Sequence, residues 1–284
     1  MKWLLLAVLA VGIARLVWRW RRGADRDRRL MLLCQQAGLD FTPLDLSPDT
    51  AWLPFPMFGR PRHGTANVVW DRRRGPEIRV FDYWYEDPTD ERAVPPKRRF
   101  TCALVPLPAS VPRLRVAPRD LADDTMTALG GKEVRFELER FNRRFVVESE
   151  DERFAFSFLE QRMMEAFLAL PEGVTAEVNE DVLLLFAPLL PAERVLLLFD
   201  AAVAIHRRIP RSLGSLFPPR PTRGPHEERW LRGSWSHEET GDVGPRRGRH
   251  QAAPSLTPGW TWTVRSWRSG PSLGGPSAPG DRTP

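Results

Sequence analysis

One residue of a chemistry-bearing type stands out in this chain. Asp82 is a carboxylate inside the strand-like run Glu77–Tyr85. Alternation puts Ile78, Val80, Asp82 and Trp84 on one face of that run, and Arg79, Phe81, Tyr83 and Tyr85 on the other. A carboxylate aligned with apolar neighbours needs a partner once buried, or it takes up a proton. Two readings follow. Asp82 either forms a cross-strand pair with an arginine such as Arg99 or Arg115, or it is a functional carboxylate. Arg79, Tyr83, Trp84 and Tyr85 are the candidates for a partner-binding strip, because aromatics and arginine are enriched where binding energy concentrates.

The remaining signals for catalysis fail one by one. Gly130-Gly131-Lys132 lacks the Walker spacing and precedes a strand, so it opens no phosphate-cradling helix. His237-Glu238-Glu239 is not a zincin motif, and no nucleophile elbow or dinucleotide fingerprint occurs. The five histidines, His63, His206, His226, His237 and His250, include no pair at metal-ligand spacing. Glu148, Glu150, Asp151 and Glu152 read as a solvated helix cap, and Met163-Met164 as core filler. Cys34 and Cys102 form no CxxC and read as reduced thiols in a reducing compartment. No catalytic, cofactor-binding or metal-ligating residue is assigned, and no cofactor is implied.

The elements that would position Asp82 begin with an anchor. Trp3–Ala14 is an unbroken apolar run, followed by Arg15, Leu16, Val17 and Trp18, then Arg19, Arg21 and Arg22. The apolar stretch is short against the ~20 residues a membrane span requires, with Arg15 near enough to one end to snorkel. Arginines in place of small residues after the run favour a retained transmembrane helix (1–22) over a cleaved leader. Their position places the N-terminus outside and the body in the cytoplasm, at the inner (plasma) membrane as a single-pass protein. Membrane lipid is thus the first expected partner.

Behind the anchor, Arg26–Gly38 reads as a helix with Leu30, Leu33 and Ala37 on one face. A Pro-rich connector, Phe41–Phe58, lays Trp52, Phe55 and Phe58 over the body. Residues 59–210 then predict an α+β domain. It has an antiparallel sheet of about six to eight strands, and helices near 118–130, 151–169 and 191–208. The strands are 66–70, 77–85, 100–107, 114–116, 134–138, 145–148, and a second hairpin of 175–178 with 182–187. The long helix should pack through Phe156, Leu159, Met163, Phe167 and Leu170. The last helix is apolar nearly all round except Asp200, as a buried or partner-covered helix would be.

Charge and composition bound the rest. The net +6 is unevenly spread, with 8 Lys/Arg against 2 Asp/Glu in residues 1–29 but 23 against 28 in residues 30–210. A nucleic-acid protein should carry its positive charge on the folded body, so nucleic acid is an unexpected partner. Residues 211–284 hold 22 Pro or Gly and only 8 Leu, Ile, Val or Phe, a composition that predicts a disordered tail.

Three segments carry a resemblance. ANVVWDRRRGPEIRVFDYWYED, FNRRFVVESEDERFAFSFLEQRMMEAFLAL and LLLFAPLLPAERVLLLFDAAVAIHRRIPR resemble, in order, the segments of a family of uncharacterised, membrane-anchored bacterial proteins, mainly actinobacterial. The resemblance covers roughly residues 60–211 and implies an N-terminal tether; it transfers no activity and no site residue. The expectation is a membrane-tethered protein with a cytoplasmic, non-catalytic module that binds a protein partner. The alternatives are an enzyme of unrecognised type using Asp82, and a structural protein of the cell envelope self-associating through its last helix.

Overall fold

The computed structural model describes residues 2–43, 50, 52–60, 62–71, 78–86, 96–121 and 132–219, with backbone alone for most of residues 2–22. A single helix, α1 (Lys2–Ala37), runs 36 residues without a break. At 1.5 Å per residue it is about 54 Å long. It stops where expected, at Gly38, whose φ of 70° suits a residue without a Cβ. Leu39 N–H then donates to the Cys34 carbonyl at 2.9 Å, closing the last turn.

Seven antiparallel strands follow: β1 (Asp40–Thr42), β2 (His63–Trp70), β3 (Arg79–Glu86), β4 (Lys97–Pro118), β5 (Lys132–Glu133), β6 (Phe145–Ser149) and β7 (Thr175–Pro188). The sheet runs in the order β1-β2-β3-β4-β6-β5, and β7 lies along the other edge of β4. β4 is the spine. Its first half lies between β3 and β7, and its second half between β6 and β7. The helices are α2 (Glu139–Arg144), α3 (Glu152–Phe158), α4 (Gln161–Leu168), α5 (Ala192–His206) and α6 (Leu213–Leu216).

The α+β class and the antiparallel sheet agree with the sequence reading, but several boundaries do not. The hairpin expected around Asn179-Glu180 does not exist. Residues 175–188 form one strand, in which Glu180 takes a φ of 51° and the chain continues instead of reversing. The two runs 100–107 and 114–116 are likewise one strand. Its register against β7 slips between Pro106 and Val111. Pro106 and Pro108 have no N–H to give the ladder, so a bulge here costs little. The gap is closed from elsewhere, since Ser110 N–H donates to the Pro218 carbonyl at 2.9 Å.

The long helix at 151–169 is two helices. Asp151 caps α3 by accepting from the N–H groups of Arg153 and Phe154, as a first-turn carboxylate should. Its buried face is Phe154, Ala155 and Phe158, whereas α4 buries Met163, Met164, Ala166 and Phe167. The two faces are out of phase, and the break after Phe158 lets both meet the sheet. Phe156, expected in the core, is 48% exposed and rests edge-on against Phe136. In place of a strand at 134–138 the chain makes the short β5 and then α2, which the sequence reading missed. Residues 118–121 finish β4 and a 3-10 turn (Arg119–Leu121). The rest of the helix expected near 118–130 lies outside the described residues.

The sheet is covered on both faces. On one, Leu30 and Cys34 of α1 and Val195, Leu198 and Phe199 of α5 pack over Val69, Val80, Ala103, Val105, Leu183 and Leu185. On the other, the connector residues Leu53, Phe55, Met57 and Phe58 lie over Val68, Phe81, Tyr83, Tyr85, Cys102 and Leu184. The connector therefore closes the second face, as its aromatics predicted. The packed body also passes the expected boundary at residue 210. Leu213 is fully buried, and Phe217 stacks edge-on against Phe154 at 5.3 Å. The tail from residue 220 onward, expected to be disordered, lies outside the described residues.

Candidate interaction site

The strand β3 positions everything of interest. Its two faces divide as alternation requires, with Asp82 toward the helices and Tyr83 and Tyr85 toward the connector. Asp82 does find an arginine, but it is neither Arg99 nor Arg115. It is Arg26, from α1. Arg26 Nη1 meets Oδ2 at 2.7 Å and Nη2 meets Oδ1 at 3.0 Å, a two-pronged arrangement that only guanidinium offers. Arg99 is exposed on β4 opposite Trp84. Arg115 belongs to a second buried cluster, 3.5 Å from Glu148 and 3.8 Å from Glu177 on the strands either side.

Two further donors complete the carboxylate. Asn67 Nδ2 donates to Oδ2 at 2.9 Å and Thr101 Oγ1 to Oδ1 at 3.1 Å. Asn67 reaches it because β2 bulges between Ala66 and Val69, and because asparagine tolerates the φ of 53° found there. Each oxygen of Asp82 thus accepts two hydrogen bonds, which fills the roughly four acceptor positions a carboxylate has.

Arg26 is also anchored beyond Asp82. Its Nε donates to the Leu190 carbonyl at 2.6 Å, while Leu190 N–H donates to Thr101 Oγ1 at 3.0 Å. The four residues Asp82, Arg26, Leu190 and Thr101 therefore form a closed ring tying α1, β3, β4 and the β7–α5 junction together. Arg29 of α1 adds a more exposed pair with Glu193 at the start of α5. Sequence reasoning missed Arg26 because the two partners are far apart in the chain, and only the packing of α1 on the sheet brings them together.

The proposed partner-binding strip is not a surface. Tyr83 and Tyr85 are 0% and 1% exposed, and Arg79 is 2% exposed. Phe58 sits edge-on over Tyr83 at 4.8 Å, and the Tyr83 hydroxyl donates to the Met57 carbonyl at 2.6 Å. Burial raises the Tyr83 phenol above its usual range, with the neighbouring thiol of Cys102 adding to the effect. Trp84 alone remains half-buried, with Lys97 Nζ 3.7 Å above its ring. Both thiols are free and buried: burial pushes Cys34 up to about 11 and raises Cys102 well above the ordinary range.

Among the described residues no helix is long and apolar enough to cross a membrane, and no group of three His, Cys, Asp or Glu could hold a metal ion. Most side chains of the apolar run Trp3–Trp18 lie outside the described residues. A cleft of about 480 Å³ lies where α1 ends against α5, lined by Leu39, Leu196, Phe199 and Val203 with Asp200 and Arg207 at its edge. No family profile and no curated protein matches the chain. Among solved structures, the chain is similar to the crystal structure of the mycobacterial trehalose monomycolate transport factor A, TtfA. The two share 15% identity, with a TM-score of 0.45 over 69% of this chain and 98% of that one.

Proposed function

We propose that this chain is a membrane-tethered protein whose cytoplasmic body is a non-catalytic module for binding a protein partner. The observation that carries this reading is the way α1 joins the body. The helix runs unbroken from the apolar stretch Trp3–Ala14 into a segment keyed to the sheet by Arg26, Leu30 and Cys34. A cleavable leader has no need of such a joint; a tether that must hold the body in one orientation does. The best candidate for catalysis, Asp82, has its acceptor positions filled by residues that hold the fold, which favours an interaction role over an enzyme. The arginines at 19, 21 and 22 put the body on the cytoplasmic side, at the inner (plasma) membrane. The resemblance of the three segments to the actinobacterial family of membrane-anchored proteins accords with the same tether.

Alkaline carbonate extraction of cell membranes tests the tether. The full chain should stay with the membrane and a chain lacking residues 2–22 should be released. Release of the full chain would remove the proposal. Self-association through the outer face of α5 is a second reading, favoured by Leu197, which is 56% exposed there. Light scattering of the detergent-solubilised chain with Leu197→Glu separates the two, because only a self-associating chain changes size.

A further inference from the structure

Where β3 gives way to β6, the spine strand β4 has an edge that neither of them covers. β3 pairs with β4 only as far as Leu104, and β6 takes up the pairing only at Leu114. On the other side β7 slips register between Pro106 and Val111. A bare strand edge is a template for another extended chain. Here Pro106, Pro108 and Pro112 thin out its N–H donors, so whatever docks must ask for few of them. Among the described residues, the chain that meets this stretch is the protein's own. After α6, Phe217 turns extended, with φ −125° and ψ 157°. Its ring rests edge-on against Phe154 of α3 at 5.3 Å. The Pro218 carbonyl then accepts from Ser110 N–H at 2.9 Å, and Pro219 stands antiparallel to Ala109, which is fully buried.

The occupant shows what this slot accepts. An aromatic ring fills the place beside Phe154, a carbonyl meets the Ser110 N–H, and two prolines bring no N–H that would need an acceptor. Proline also keeps the segment extended before it docks, which lowers the cost of ordering it. The hold is light. Leu213 is fully buried and anchors α6, but Leu216 is 60% exposed, and Pro218 and Pro219 are exposed. We propose that β4 from Ala109 to Val111, with Phe154 beside it, is a docking slot for an extended aromatic–Pro–Pro segment of a partner protein, held shut in the resting chain by its own Phe217–Pro219. This rests on the binding role proposed above and deepens it, since it names the partner's chemistry. A segment already attached to the body competes at roughly millimolar effective concentration, so a partner gains the slot once the strap is lifted. Lifting those three residues leaves Leu213 in place.

The experiment titrates the full chain, in detergent, into a fluorescein-labelled peptide, Ser-Leu-Phe-Pro-Pro-Arg, which copies residues 215–220. Fluorescence anisotropy reports binding. Two variants lift the strap by different means, and thermal denaturation checks that each folds. Phe217→Ala removes the ring, while Pro218→Gly with Pro219→Gly removes the stiffness at exposed positions. Each should bind the peptide about tenfold or more tightly than the parent does. A peptide with alanine in place of its phenylalanine should not bind. With benzoylphenylalanine at that place, photocrosslinking should mark β4 between Val105 and Arg113, or α3. Equal binding by parent and variants would overturn the closure, and a crosslink elsewhere would overturn the slot. Chemical crosslinking of the parent in native membranes is read beside the titration. A protein captured there, while neither folded variant binds the peptide, would overturn the slot and leave the binding role standing. Neither capture nor peptide binding would overturn both.

Discussion

Arg26 and Asp82 stand 56 residues apart in the chain and 2.7 Å apart in the fold, with side chains only 14% and 12% exposed. An ion pair this sheltered says more about specificity than about strength. Removing both charges together costs far less than stranding one of them. The pair acts as a key that selects one seating for α1 on the sheet.

Asp82→Ala should therefore destabilise the protein by about 3–5 kcal/mol, because it leaves the Arg26 charge buried and without its main acceptor. Arg26→Ala should cost a similar amount. The double variant should lose less than the sum, with a coupling of about 1–3 kcal/mol. Urea denaturation of the four proteins checks this; simple additivity would mean the contact carries no energy.

The buried thiols and phenol set a sign for pH. Cys34, Cys102 and Tyr83 all hold their protons more tightly in the folded protein than their ordinary values, because burial opposes the charged form. Their contribution is full below the ordinary thiol range and is lost as pH rises through the folded values, for Cys34 from about 9 toward about 11. Stability should fall with rising alkalinity by up to about 1.4 kcal/mol per pH unit for each group titrating. Cys34→Ser measured against the parent between pH 8 and pH 11 should flatten the fall by roughly one group's share.

Gly64 faces Trp84 across β2 and β3. A Cβ built there would lie 2.9 Å from the indole ring. Gly64→Ala should cost about 1–3 kcal/mol and displace Trp84 from beneath Lys97. The checks are thermal denaturation and a shift in tryptophan emission relative to the parent.

Tyr83→Phe removes the hydrogen bond from the buried hydroxyl to the Met57 carbonyl without changing the packing of the ring. The loss should be about 1–2 kcal/mol, and it should loosen the connector over residues 52–58. Limited proteolysis within that segment should quicken while cleavage elsewhere is unchanged.

What the sequence could convey divides along physical lines. The two-residue period of β3 placed Asp82 and Tyr83 on opposite faces, and the spacing of Met163, Phe167 and Leu170 located the packing face of α4, though not the break that separates it from α3. Burial of Tyr83 and Tyr85 was not legible from β3 alone, because what covers them is the connector residues Met57 and Phe58. Glu180 was read as a turn because asparagine followed by an acid is a reversal signal, yet one residue at positive φ can serve a bulge as well. The partner of Asp82 was the hardest, since Arg99 and Arg115 lie on β4 within reach of a cross-strand guess while Arg26 lies across the chain on α1.

The measurement that bears most directly on the account is amide hydrogen exchange over residues 24–37 of α1, in the full chain and in Asp82→Ala. If α1 is keyed to the body, the native protein should protect this segment nearly as strongly as β3 and β4, and Asp82→Ala should cost it protection before the sheet loses any. Exchange typical of a free helix, unchanged by Asp82→Ala, would contradict the account: α1 would then be a loose tether and the body free to turn.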